Sequence, residues 1–597
     1  MALGSLLPEL AEDVPRATLI ELVATWAGQK PDAPAYTFVD YSADPRGLKV
    51  TYSWADTYRR SRAMAVRLRH SAEPGDRVAL LLPQGLDYMT TMLAAMWSRV
   101  IAVPLFSPDS AGHADRLIGA YSDSEPAVVV TTRAASPDVE RFLAGHDVPR
   151  PKEIIFAEDI DEALAAGWVD EPIGIDEVAY LQYTSGSTRR PAGVEITHGN
   201  VDANARQLWS GWGPQSTEPV MVSWLPLFHD MGLIASMALP MVHGNHTIFT
   251  DPVSFLMNPL RWLQLISEHD CVYTAGPNFA YEYVTERATP EKIAGLDLSG
   301  LVTCLNGAEP VRPSTLKLFG DTFGPAGLRA GAQGPGYGLA EATVFVCAAA
   351  DDAPPKIVVV DRDALLAGSV VASVVASGGG RTTSLVSCGR PMGQYVAIVD
   401  PDTSVEQPDD RVGEIWVYGP NVAPGYWKNS ERSQDTFGGR LVSSADLPQG
   451  PWMRTGDFGV IHEGELYVTG RIKDLIIVDG TNHYPQDLEV TVQEAHPAVR
   501  PDFVAAFAVP GGETERLVVV AERNRRVPLA RLDLVEVEVA VRSAVNVEHE
   551  MAVHEFVLIE PGGLSRTSSG KVARAATKQR HLDGELPTTR VRLAARN

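Results

Sequence analysis

The stretch EVAYLQYTSGSTRRPAG, residues 177–193, joins a short apolar run to a loop of small hydroxylated residues. Its first half, ending at Tyr183, is the length of a strand and apolar enough to be buried on both faces. Its second half presents Thr184, Ser185, Gly186, Ser187 and Thr188. Their hydroxyls and closely spaced backbone N–H groups suit an anion, and the glycine lets the backbone curl around one. Taken alone, such a loop is equally the composition of a linker. No GxxxxGK[ST] occurs in the chain, which excludes the P-loop of kinases and ATPases.

Strand-like runs of the same kind recur outward in both directions: RVALLLP (77–83), IAVPLF (101–106) and AVVVTT (127–132) before it, HTIFTD (246–251), DCVYTA (270–275) and LVTCLN (301–306) after it. Apolar strands separated by helical stretches predict an α/β body of largely parallel sheets. Near residue 395 the texture changes to YVAIVDPD, GEIWVYGP and GELYVTGR, which predicts a small antiparallel β-subdomain. A further α+β segment follows from about residue 475, with AAFAVP, LVVVAE and HEFVLI as strands. The expected organisation is a large domain over 1–470, a hinge over 471–480 within GRIKDLIIVDG, and a small mobile domain over 481–597. An inserted element is expected over 351–390, around SGGGRTTS (377–384).

At 597 residues, 45% hydrophobic and 21% charged, the chain has the make-up of a multi-domain globular protein. Its formal charge of −24 argues against a nucleic-acid surface. Residues Gly563 to Asn597 carry eight Lys or Arg and two acids, a basic tail suited to phosphates, to an acidic partner or simply to water. Cys271, Cys304, Cys347 and Cys388 are far apart in sequence, so free thiols are expected rather than zinc or disulfides. The N-terminus lacks a basic n-region, and no run approaches the ~20 apolar residues of a membrane span. A cytoplasmic location is expected.

Three further motifs could complete a nucleotide site. In GPGYGLAEAT (334–343), Gly336 and Gly338 permit close approach to a flat ligand, Tyr337 offers an aromatic face, and Glu341 a hard oxygen for Mg²⁺. In MRTGDFG (453–459), Asp457, expected in a tight turn, could accept from both ribose hydroxyls. In GLSRTSSGKVAR (563–574), Lys571 could neutralise charge developing between a carboxylate and a phosphate. Each also has a plain reading as a turn or a solvated loop.

Together with LQYTSGSTRRPAGVEITHGN (181–200), SWLPLFHDMGLI (223–234), LNGAEPV (305–311) and GRIKDLIIVDGTNHYPQDLE (470–489), these motifs make the chain resemble the adenylate-forming superfamily. That superfamily comprises acyl-CoA synthetases, luciferases and peptide-synthetase adenylation domains. Within it the chain resembles the mycobacterial fatty acyl-AMP ligases that feed polyketide synthases, from about residue 20 to 580. The resemblance implies ATP and Mg²⁺ as cofactors, with Thr184 to Thr188 on the phosphates. Asn306, Gly307, Ala308 and Glu309 would line the adenine pocket, and Gly336 to Leu339, with Tyr337, would lie against the base. Asp457 and Arg471 would hold ribose or phosphate, and Glu341 would bind Mg²⁺. Lys571 would drive adenylation, Lys473 would mark the hinge, and His229 would sit at the mouth of an acyl channel including Phe228, Met231, Asn278 and Phe279.

Two residues depart from the wider superfamily: Ala192 stands where a lysine is usual, and Ala340 where a threonine is usual. The second is typical of the acyl-AMP ligases. Three fates for the activated acid are distinguishable in principle. A fatty acid would pass to the phosphopantetheine of a polyketide-synthase acyl carrier protein, or to coenzyme A as in acyl-CoA synthetases, or nowhere in a catalytically silent acyl or nucleotide sensor. An insertion at 351–390 favours the first, because the acyl-AMP ligases carry such a segment to restrain domain movement. An amino-acid substrate is disfavoured by His229, which stands where adenylation domains place an aspartate.

Overall fold

The computed structural model describes residues 16–108, 114–183, 192–212, 218–349, 353–372, 381–442, 447–478, 481–510, 515–566 and 571–589. The phosphate-loop candidates Thr184 to Thr188, part of the expected insertion and the end of the basic tail lie outside these residues.

The apolar runs become two mostly parallel sheets. One has six strands in the order Glu153–Phe156, Val128–Thr131, Arg77–Leu80, Ile101–Pro104, Val178–Tyr183 and Gly193–Thr197. All neighbours are parallel except the last pair. Val128 to Thr131 and Ile101 to Pro104 are buried at every position, which is why they are apolar throughout instead of alternating. The second sheet has nine strands, with Gln333–Tyr337, Leu301–Gly307, Val272–Pro277, Val220–Ser223 and His246–Phe249 adjacent and parallel at its centre. Parallel strands put their carboxyl ends along one edge, where loops are free to build a site.

Tyr395–Val399, Gly413–Tyr418, Met453–His462 and Glu465–Arg471 form a four-stranded antiparallel sheet, in line with the alternating texture there. Beyond it lies a three-stranded sheet, Val499–Pro510, Glu515–Arg523 and Val553–Ile559. Its own core contains Leu488, Val519, Val537 and Val541, and is separate from the cores of the two large sheets. All four cysteines are free, three of them buried; burial pushes the Cys304 and Cys388 thiols up to about 12. Among the described residues no helix is long and apolar enough to cross a membrane.

One consequence of this packing is a pH liability. His198 opens the helix His198–Trp212 at 3% exposure, and burial lowers its pKa from 6.5 to about 4 against the pull of Glu177 and Glu21. The unfolded chain binds a proton there that the folded chain refuses, so stability is lost as pH falls from 6.5 towards 4. The expected loss is on the order of 3 kcal/mol by pH 4. Melting curves over that range should fall less steeply for His198→Asn; equal slopes would remove His198 from the account.

Candidate active site

Several of the described residues singled out in sequence lie at the carboxyl ends of the parallel strands, whereas Asp457 and Arg471 lie on the four-stranded antiparallel sheet. Thr184 to Thr188 directly follow the strand ending at Tyr183, and Phe228 and His229 follow the one ending at Ser223. Asn278 and Phe279 follow Pro277, Gly307 to Glu309 end the next strand, and Gly338 to Glu341 follow Tyr337.

The loop carrying Phe228 and His229 is pinned from below. Gln84 Nε2 donates to the carbonyls of Leu225 (3.0 Å) and Thr250 (2.7 Å), and its Oε1 accepts from Leu227 N at 3.1 Å. Gln182 Nε2 donates to Phe228 O at 3.0 Å. His229 Nδ1 lies 2.6 Å from Asp230 Oδ1. Burial pushes the Asp230 carboxyl up, but His229 and Lys571 outweigh it and hold the group below its ordinary range. Arg116 also faces Asp230; burial lowers its guanidinium to about 10. The apolar candidates cluster nearby: Met231 is buried, Phe228 packs on Phe106 with centroids 5.4 Å apart, and Phe279 packs on Trp224 at 6.2 Å. Asn278 is spent otherwise. Its amide donates to Glu282 Oε1 (2.9 Å) and Thr315 Oγ1 (3.1 Å) and its Oδ1 accepts from Asn306 Nδ2 (3.3 Å), so it belongs to a polar network.

Sequence reasoning expects a tight turn at Asp457; the structure corrects this. Asp457 lies within the strand Met453–His462, paired with Arg471 on the neighbouring strand. Gly456, at φ +71, gives that segment its turn-like composition. Asp457 Oδ2 accepts from Tyr337 Oη at 2.7 Å and Oδ1 from Arg471 Nε at 2.9 Å. Each oxygen keeps lone-pair capacity for another donor. Gln333–Tyr337 is likewise a strand, not a Gly-rich turn.

Glu341 sits in a single 3₁₀ turn, Ala340–Ala342. Tyr426 Oη donates to its Oε1 at 2.7 Å, and its carbonyl accepts from Ala423 N at 3.0 Å. Gly338 is required by the fold of this turn: a Cβ there would lie 1.7 Å from Val344 O. Gly338→Ala should therefore displace the segment bearing Glu341 and cost at least about 1–3 kcal/mol, read as a lowered melting temperature with lost activity. An unchanged melt would show that the turn can move freely.

Lys571 lies within electrostatic reach of Asp230, Glu309, Arg471 and Asp457. Burial lowers its pKa, while Asp230 and Glu309 favour its charged form. Burial raises the Glu309 carboxyl, although Phe279 N donates to it at 2.6 Å and Lys571 opposes the shift. Lys473 lies exposed in the short 3₁₀ turn Ile472–Asp474. Next to it, Asp474 accepts from Arg574 Nη1 at 3.1 Å, and Arg574 also grips Glu489 through two 2.7 Å bonds. Asp230, Arg116, Tyr426 and Arg574 were not singled out from sequence. Asp230 and Arg574 had a local signal, beside His229 in FHDMG and three residues after Lys571 in SGKVAR.

The model of a family described as AMP-binding enzyme matches residues 23–427, and one described as Disco-interacting protein 2-like, AMP domain, matches residues 473–591. The chain is 42% identical over 568 residues to the long-chain-fatty-acid–AMP ligase FadD26 of Mycobacterium marinum, covering 94% of this chain and 96% of that one. It is 41% identical over 585 residues to the 4-hydroxyphenylalkanoate adenylyltransferase of Mycobacterium tuberculosis, covering 95% and 92%. A crystal structure of a fatty acyl-adenylate ligase from Legionella pneumophila, in complex with acyl adenylate and pyrophosphate, superposes with a TM-score of 0.72 at 34% identity, over 96% and 97% of the two chains. Likeness of this extent, spanning both sheets and the segment that carries Lys571, means that the chain belongs to the AMP-binding enzyme family and, within it, to the fatty acyl-AMP ligases.

Proposed function

We propose that the protein activates a long-chain fatty acid with ATP and hands the acyl group to the phosphopantetheine thiol of a polyketide-synthase carrier protein. The observation that carries the first step is the placement of Lys571 among Asp230, Glu309, Asp457 and Arg471. A carboxylate oxygen attacks the α-phosphorus, the bond to the bridging oxygen breaks, and pyrophosphate leaves. No side chain need form a covalent bond; the work is positioning and charge neutralisation. Asp457, with Tyr337 and Arg471 fixing its two oxygens, is suited to the ribose hydroxyls. Asn306 Oδ1 is buried without a hydrogen-bond partner among the described residues, which fits an acceptor awaiting the adenine amine beside Gly307, Ala308 and Glu309. Thr184 to Thr188 would hold the phosphates.

Among the described residues no three His, Cys, Asp or Glu side chains cluster as a metal site. A lone Glu341 fits Mg²⁺, which typically takes one or two carboxylates and completes its shell with phosphates and water. When bound, the ion would supply charge neutralisation to the phosphates. Glu341 itself is oriented for this by Tyr426.

The carrier-protein reading is supported by the segment between 351 and 390. Its strand Thr382–Val386 pairs with Ile357–Asp361, and Arg362 at the start of the helix Arg362–Leu366 reaches the C-terminal part. Arg362 donates to Glu548 O at 3.0 Å and contacts His549 Nδ1 at 2.5 Å, while Arg381 pairs with Glu550 at 3.2 Å. Such contacts restrain the rotation that coenzyme A would require. Incubating enzyme, ATP and labelled fatty acid with coenzyme A or with a holo carrier protein tests it; efficient acyl-CoA production would overturn it. The likeness to a 4-hydroxyphenylalkanoate adenylyltransferase supports a second reading, an acid ending in a phenol. A panel of alkyl and aryl acids in an acyl-AMP assay separates the two.

A further inference from the structure

We infer that Arg312, Asp502 and Arg566 form an interdomain latch that positions Lys571 for adenylation. The inference rests on the role of Lys571 given above, and it assigns the residues that bring the lysine there.

Arg312 precedes the helix Pro313–Phe323 and belongs to the large domain. Its backbone N–H donates to Asn278 Oδ1 at 3.2 Å, so the polar network around Asn278 fixes where the side chain starts. The guanidinium lies 3.4 Å from Glu282 and makes a closer ion pair with Asp502, 190 residues away on the small domain. Asp502 sits in the left-handed region, φ +62, where the strand Val499–Pro510 changes register with its neighbour. Its N–H donates to Gln493 Oε1 at 2.9 Å, which holds that geometry. Its carbonyl accepts from Arg566 Nη2 at 2.9 Å.

Arg566 lies over the Phe503 ring at 4.0 Å and forms an antiparallel bridge with Val572, the neighbour of Lys571. On the far side, Arg574 is bound to Glu489 and Asp474 within the small domain. Arg574 therefore fixes the Lys571 segment on its own domain, whereas the Arg566–Asp502–Arg312 chain ties it to the other. Burial, then the Asp502 charge, pushes the Glu282 carboxyl well above its ordinary range, so Arg312 is the cation that makes this close approach of acids tolerable. An ion pair formed in one domain arrangement and absent in another contributes its whole energy to that equilibrium.

The three are positioning residues, since none need touch ATP or acid. The test compares Arg312→Gln, Asp502→Asn and the double variant; asparagine tolerates the left-handed backbone. Rates of acyl-AMP formation and both KM values are measured, with interdomain distances from spin labels attached through D321C and V547C. Each single variant should lower kcat about ten-fold with KM values within about two-fold, and shift the distance distribution. The double variant should be no slower than the worse single one, because one interaction is lost in each case. Arg312→Lys should recover part of the rate, and thermal melts confirm folding. Single variants within two-fold of the parent, effects that multiply in the double variant, or slowed rates with unchanged distances would each overturn the latch. If Lys571→Ala were fully active, the role of the lysine would fail, and the distance measurements alone would decide the latch.

Discussion

Replacing Lys571 with alanine is expected to slow acyl-AMP formation by about 10²–10³-fold, the usual cost of losing a preorganised group aimed at developing charge. ATP affinity should change by no more than a few-fold, because the base and ribose contacts proposed above involve residues remote in sequence from Lys571. The expected signature is a fall in kcat with nearly constant KM for ATP. Burial lowers the Lys571 pKa, and Asp230 and Glu309 oppose that shift by favouring its charged form. Lys571→Arg would keep the charge but change its reach, and should recover only part of the rate. A Lys571→Ala enzyme that adenylates normally would remove the lysine from the chemistry.

Asp457→Ala should act on binding instead. It deletes the acceptor for Tyr337 Oη and Arg471 Nε, at 2.7 and 2.9 Å, together with the two acceptors offered to ribose. Charge-assisted hydrogen bonds are worth roughly 1.5–3 kcal/mol, so the KM for ATP should rise about ten- to hundred-fold. The dissociation constant of ATP measured without acid should rise in parallel, and kcat should fall less. Asp457→Asn keeps one acceptor and should lie between. Undiminished ATP affinity in the alanine variant would exclude Asp457 from the ribose site.

Much of the fold was legible because parallel strands covered on both faces must be apolar throughout. Val128 to Thr131 and Ile101 to Pro104 could hardly be anything else. The site was legible as far as its residues follow such strands. What escaped depended on partners remote in sequence. Asp457 looks like a turn residue because Thr455 and Gly456 precede it, yet it pairs with Arg471 on the strand Glu465–Arg471. Gly336 looks like turn composition, but it is small because a Cβ there would meet Leu305 Cδ1 at 2.6 Å. Asn278, expected along the acyl channel, has hydrogen bonds to Glu282, Thr315 and Asn306 that no local sequence pattern announces. The Arg312–Asp502 pair has no local signature at all, since each residue alone is an ordinary surface charge.

The proposed delivery of Lys571 by the small domain also bears on what becomes of the product. An acyl adenylate is a mixed anhydride of a carboxylic and a phosphoric acid, and water hydrolyses it. While the segment that promoted its formation still covers it, water has poor access, and so has any thiol. Free fatty acid and AMP released without an acceptor would thus count the occasions on which that cover lifts too early. Futile nucleotide consumption becomes a meter of domain opening, and variants that loosen Arg312 from Asp502 should run that meter faster for each anhydride made.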